Sequence, residues 1–168
     1  GLLGAVRAGR QGRDGKVCAR PPWLLGQAAQ TADSRLAGAA GANHLPLKLH
    51  RTDEPVLPPQ TDCCLIVAGL SARGRPVHEA VHRYALYPPW AANPAQTVSI
   101  NELLYCVRET VIACGLPTDR LRVLLNQADT PALAALAEPA AQALRADGLD
   151  CRVGSLRAGF ALADWLSA

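Results

Sequence analysis

A mostly parallel α/β fold, one sheet flanked by helices, is what this sequence predicts, and three observations predict it. Cys63–Ala68 and Leu121–Leu125 are short, continuously apolar runs, the pattern of strands buried on both faces. Helix signals stand between and after them: a capping pattern at Ser99-Ile-Asn-Glu102 and a start signal at Thr130-Pro131. The alternation of apolar run and helix is the order in which right-handed βαβ units build a parallel sheet. With 168 residues, 49% of them hydrophobic, the chain is large enough for a core of its own. Aromatic residues make up only 4%, so Leu, Val and Ala must fill that core.

The elements follow in chain order. Residues 1–30 are rich in Gly, Arg and Gln without periodicity; they read as a poorly ordered basic segment, with a short helix at most over Pro22–Ala29. Residues 31–168 read as a single α/β domain. Leu36–Asn43, almost entirely Ala and Gly, reads as a strand running into a loop. Leu45–Pro59 is an extended loop, because Pro46, Pro55, Pro58 and Pro59 oppose any regular element. Cys63–Ala68 is the best strand, closed by Gly69. Pro76–Tyr84 reads as a short helix ended before Pro88 and Pro89. The Ser99/Glu102 capping box opens a helix over Leu103–Cys114, with Gly115 as its stop and Pro117 beyond. Leu121–Leu125 is strand, Pro131–Ala146 helix, Cys151–Val153 a last short strand and Leu156–Ala168 a closing helix.

Charge and cysteine usage narrow the function classes. The formal net charge is +3, yet residues 1–20 carry five basic side chains against Asp14, a net +4, so the remainder sums to −1. The body therefore has no basic face of the kind nucleic acid demands. The longest apolar run, Cys63–Leu70, has eight residues, far short of the roughly 20 that span a bilayer. Leu2-Leu3 and Ala5-Val6 are interrupted by Gly4 and Arg7, so no signal peptide is read. The six cysteines show no C-x-x-C spacing, and four sit in apolar or helical patterns as small hydrophobes, which fits a reduced, cytoplasmic protein. The chain opens on Gly1 and contains no Met, as expected of a fragment or an atypically started product, with sequence missing upstream.

The candidate site lies where the second apolar run ends, at Asn126-Gln127-Ala128-Asp129, since strand ends that feed helices are where open α/β sheets bind ligands. A carboxylate fixed there accepts two N–H bonds from the Watson–Crick edge of guanine, and an asparagine amide reaches N7 or braces the loop. The pattern resembles the base-reading Asn-Lys-x-Asp element of GTP-binding proteins, with Gln127 in the lysine's place. Gly154-Ser155-Leu156, just past the last strand, occupies the position of their Ser-Ala-Lys loop, with Leu156 and Arg157 departing from it. The alternative is structural: Asp129 caps the helix opening at Pro131. Gly9–Val17 imitates a phosphate-binding loop but has Arg10 for Gly and Val17 for the magnesium-holding hydroxyl, and it reads as a basic loop. Nucleotide hydrolysis is not expected from it.

Two further stretches carry chemistry-bearing residues. His78-Glu79-Ala80-Val81-His82 matches H-E-x-x-H, in which two histidines one helical turn apart hold zinc and the glutamate activates water. The segment before Pro88 is short for such a helix and no third ligand follows, so chance on a polar helix face is the competing reading. In the proline loop, Lys48 and His50 are placed to meet a phosphate or an acidic partner, or the loop as a whole docks a partner without catalysis.

Taken together, Pro46-Leu-Lys48, Glu54-Pro-Val-Leu-Pro58-Pro59, Thr61-Asp62, Gly69–Pro76, Val81-His82-Arg83 and Leu125–Asp129 resemble the selenium-dependent hydroxylase accessory protein family, YqeC, from about Leu36 onward. The resemblance implies a P-loop-NTPase-like α/β fold and a role in maturing selenium-dependent molybdenum hydroxylases, with the client enzyme or its cofactor-assembly machinery as partner. Joined to the strand-end reading above, this gives the expectation of a purine nucleotide, GTP or ATP, at Asn126, Gln127, Asp129 and Ser155. Asp129 would read the base, Asn126 brace it and Ser155 close the pocket, with Lys48 and His50 facing the phosphates or a client. Two departures are plain. The family's Gly-Lys-Thr phosphate loop is not found, and its Glu-Ala-Asp-Gly strand end is replaced by Gly38-Ala39-Ala40-Gly41, so Ala40 stands where a carboxylate would hold magnesium.

Overall fold

The structure is a computed structural model that describes residues 9–11, 17–19, 41–159 and 165–166. The chain falls into two compact units, Gly1–Gly41 with Val56–Pro59, and Ala42–Pro55 with Gln60–Ala168. In the first unit, β1 (Gly9–Gln11) and β2 (Val17–Ala19) pair antiparallel, with Arg10 opposite Cys18. Part of the stretch expected to lack regular structure therefore carries a strand pair. The two ends of the phosphate-loop imitation lie in strands that pair antiparallel, Gly9 with Ala19 and Gln11 with Val17, whereas a true phosphate loop joins a strand to a helix. The expected helix over Pro22–Ala29 and most of the expected Leu36–Asn43 strand lie outside the described residues; Asn43 and His44 form a turn with positive φ.

The second unit contains β3 (Leu47–Lys48), β4 (Cys64–Gly69), α1 (Val77–Ala80), β5 (Val81–His82), α2 (Pro88–Ala92), α3 (Ile100–Cys114), β6 (Leu121–Asn126), α4 (Pro131–Ala146) and β7 (Asp150–Val153). The expected α/β architecture is found, with parallel strands and flanking helices. β4, β6 and β7 form a three-stranded sheet in that order, every pair parallel, with Gly69 opposite Asn126 and Leu125 opposite Val153. β3 and β5 form a second, two-stranded parallel sheet with Lys48 opposite His82.

The helices form where local signals are strongest. Ser99 Oγ accepts from the Asn101 N–H at 3.0 Å and Glu102 accepts from the Ser99 N–H at 2.8 Å, so two otherwise orphaned donors at the start of α3 are satisfied. Gly115 ends α3 with φ of 61°, a left-handed conformation that glycine adopts without a Cβ penalty. Ser99→Ala should cost about 1 kcal/mol, read as a lower urea midpoint at unchanged slope. In α4 the buried residues are Ala137, Ala140, Ala141 and Leu144, the i, i+3, i+4, i+7 stripe of a helix packed on one face. That stripe and Leu103, Cys106 and Val107 of α3 bury against Val123, Leu125 and Cys151 of the sheet.

Three expectations are corrected. The proline loop was expected to exclude every regular element, yet Leu47 and Lys48 make β3: only proline lacks an N–H, and the residues between prolines keep theirs for pairing. The single helix over Pro76–Tyr84 is instead one turn of α1, then β5, then a 3₁₀ turn at Tyr84–Leu86. Its residues are divided because Val81 and His82 are drawn into pairing with β3. The closing helix does not begin at Leu156. Ser155 accepts the Ala158 N–H on both its carbonyl and its Oγ, folding residues 156–159 into a turn that Gly159 leaves with φ of 86°. Helix is found at Trp165 and Leu166, where the Trp165 Nε1–H donates to Asp150 Oδ2 at 2.7 Å.

Candidate functional site

The carboxyl edge of the three-stranded sheet is built by side chains bonding to backbone. After Asn126 the chain turns at Gln127, whose φ is 72°. The loop then runs alongside the segment after β7: the Ala128 N–H donates to the Gly154 carbonyl, and the Gly154 N–H to the Leu125 carbonyl, both at 3.1 Å. Asn126 Oδ1 accepts from the Leu156 N–H at 3.0 Å, and Ser155 Oγ donates to Asp129 Oδ1. Gln127 reaches the other way, accepting from the Ser71 N–H at 3.1 Å in the segment after β4. Asn126, Gln127, Asp129 and Ser155 are therefore brought together, each tying one strand-end segment to another.

The competing structural role for Asp129 does not hold. Thr130 is the N-cap of α4, its Oγ1 accepting from the Leu133 N–H at 3.2 Å. Asp129 is exposed, with Oδ2 lacking a hydrogen-bond partner among the described residues, while Ser155 beneath it is 7% exposed. Leu156, 39% exposed, is the apolar side chain next to this edge. Two surface cavities, of about 250 and 300 Å³, lie elsewhere, one at Tyr87, Trp90 and Tyr105 and the other at Val111, Ile112 and Leu149. Neither is lined by Asn126, Asp129 or Ser155.

Lys48 and His50 converge on a residue that sequence reasoning did not single out as a site. Lys48 Nζ lies 2.8 Å from Glu54 Oε2, His50 Nδ1 lies 3.9 Å from the same oxygen, and Arg83 Nη1 donates to it. Arg83 joins from β5's far end, in a left-handed backbone conformation with φ of 62°. Lys48 is only 8% exposed, so its ammonium is committed to Glu54 and does not project into solvent. The Arg83 hydrogen bond, followed by that of Lys48, holds the Glu54 carboxyl down to about 2. His50 is pushed below its ordinary value by burial and then by Lys48, and His82 by burial and then by Arg83 and Lys48. The signal available in the sequence was an acidic pair, Asp53-Glu54, following Lys48, His50 and Arg51 in a loop stiffened by prolines.

The H-E-x-x-H match does not make a metal site. α1 ends at Ala80, so His82 lies in β5 and is not one helical turn above His78. His78 Nδ1 bonds instead to the Pro94 carbonyl at 2.8 Å. Among the described residues, no group of three or more His, Cys, Asp or Glu side chains is placed to hold a metal ion.

Fold and edge together define a small α/β protein with a parallel sheet whose carboxyl-end loops are bonded through polar side chains. Residues 3–85 match the family model described as YqeC protein, and this match supports membership of the chain in the YqeC family. No curated protein and no solved structure matches the chain. Among the described residues, no helix is long and apolar enough to cross a membrane.

Proposed function

We infer that this protein is an accessory factor in the maturation of selenium-dependent molybdenum hydroxylases, and that a purine nucleotide binds at the carboxyl edge of β6 and β7. The family match supports the first part. One observation supports the second: Asp129 is exposed just past a strand end and fixed through Oδ1 to the buried Ser155, with Oδ2 unbonded among the described residues. A carboxylate has about four lone-pair directions. A single hydroxyl donor therefore leaves room for the two N–H groups of a guanine edge. Asn126, with Oδ1 occupied by the Leu156 N–H, keeps its amide donors for an acceptor such as N7. Ser155 holds the Asp129 carboxylate in place from beneath, and Leu156 offers an apolar platform for the ring.

The test is thermal unfolding with GTP, ATP or CTP and magnesium. A nucleotide at 100 times its dissociation constant adds about 2.7 kcal/mol to stability. GTP should raise the melting temperature, and Asp129→Asn should transfer that effect to the xanthine nucleotide, whose edge presents a carbonyl where guanine presents an amine. No stabilisation by any of the three overturns the nucleotide site and favours a module that docks a partner through the proline loop. An unchanged base preference in Asp129→Asn removes Asp129 from base reading. The accessory role is tested separately, by the selenium content of a molybdenum hydroxylase produced with and without this protein.

A further inference from the structure

At the opposite end of β4 from the nucleotide edge, two thiols face each other. Cys64, the first residue of β4, and Cys114, the last of α3, place their Sγ atoms 3.8 Å apart. Both are half-buried. The other described cysteines are differently placed. Cys106 and Cys151 are buried, with thiols pushed up to about 12 and about 11, and burial also raises Cys63. We propose that Cys64 and Cys114 form a reversible dithiol–disulfide couple that low-molecular-weight disulfides oxidise, with Cys64 as the attacking thiol and Cys114 as the resolving thiol.

The roles follow from an asymmetry. Cys114 is the last residue of α3, where the negative end of the helix dipole disfavours a thiolate. The shared S–H bond is therefore made with Cys114 as donor and the thiolate on Cys64, whose pKa comes down to about 7 while Cys114 is raised. The thiolate is the nucleophile in thiol–disulfide exchange. Cys64 Sγ⁻ attacks one sulfur of the reagent, its S–S bond breaks, and the first thiolate leaves with the bonding pair and takes a proton from water. Cys114 then gives up its proton and attacks Cys64 Sγ in the mixed disulfide, expelling the second thiolate, which takes that proton. Two protein thiols lose two electrons and one small disulfide becomes two thiols. A protein disulfide has its sulfurs about 2.05 Å apart, so the pair must close by under 2 Å. Cys114 is free to make that movement as the terminal residue of its helix, followed by Gly115 in a left-handed conformation. The product ties the start of β4 to the end of α3.

The experiment exposes the full chain to oxidised glutathione at neutral pH, quenches free thiols and maps the peptides. The expected result is a Cys64–Cys114 linked peptide, removed by dithiothreitol, and a higher melting temperature for the linked form. Cys114→Ala should instead accumulate a stable Cys64–glutathione adduct, at least tenfold more than wild type. Alkylation of Cys64 by iodoacetamide should reach half its maximal rate near pH 7 in wild type, and about one pH unit higher or more in Cys114→Ala, which lacks the hydrogen bond. A chain that stays unlinked in excess oxidant, or in which Cys63 reacts as fast as Cys64, overturns the proposal. Should Cys114→Ala not fold, the wild-type alkylation profile and linked peptide decide alone.

Discussion

Gly69→Ala should destabilise the protein by about 2–3 kcal/mol, the cost of forcing a methyl group into a closed contact. The reason is space, not backbone freedom. Gly69 has φ of −85° and ψ of 122°, an ordinary extended conformation that any residue adopts. A Cβ at this position would lie 2.6 Å from Gln127 Oε1, 2.7 Å from Pro46 Cβ and 3.2 Å from Pro46 Cα. The Gln127 side chain is able to swing aside, at the cost of its bond to the Ser71 N–H. Pro46 has less freedom, because its carbonyl accepts the Gly69 N–H at 2.9 Å and moving the ring away stretches that bond. The expected readout is a lower urea midpoint together with faster hydrogen exchange at the Ser71 amide. Gly41→Ala is the control: nothing lies within 4 Å of a Cβ there and φ is not positive, so its midpoint should stay near wild type. A Gly69→Ala chain within 0.5 kcal/mol of wild type would show that the edge is looser than described.

That contact illustrates which features were legible in the sequence. α3 and α4 were readable at both ends because caps, a left-handed glycine and a stripe of small apolar residues are local signals. β6 was readable because a strand covered on both faces needs an unbroken apolar run; β4 carries the same kind of run although it is an edge strand on which Val67 is 45% exposed. β3 and β5 were not, since two residues carry no period and their pairing joins Leu47 to Val81 across the chain. The same non-local pairing splits the H-E-x-x-H segment, whose histidines look helical only while β3 is ignored. At the candidate site, Asn126, Asp129 and Ser155 were legible from their places after strands, whereas the bonds from Ser71 and Leu156 that orient Gln127 and Asn126 depend on how the strand ends meet. Glu54 escaped because its partner Arg83 is 29 residues away, in a conformation a non-glycine residue rarely adopts.

Glu54→Ala should be the other severe substitution, destabilising by about 3 kcal/mol. Removing one partner of a buried ion pair leaves the other charge uncompensated. Here Lys48 would keep an ammonium in an environment where it is 8% exposed, with Arg83 beside it and no carboxylate between them. Lys48→Met combined with Glu54→Leu should recover part of the loss, because an apolar pair removes the desolvation penalties of Lys48 and Glu54 and leaves only Arg83, the more exposed cation, without its carboxylate. The acid limb of stability carries the same information. Glu54 is held at about 2 against an ordinary value of 4.5, so the folded state binds fewer protons than the unfolded chain between those limits. Its contribution is complete above about pH 5 and is lost as pH falls towards 2. His50 and His82, both depressed from 6.5, add a separate loss that begins near that value, again because the unfolded chain is the more readily protonated. Glu102, also held below its ordinary value, and the two histidines act in both chains alike, so the difference between wild type and Glu54→Gln in urea unfolding from pH 5 to 2 reads Glu54. Wild type should lose stability more steeply across this window. Parallel decline of the two would mean that Glu54 is not the carboxylate on which Lys48 and Arg83 depend.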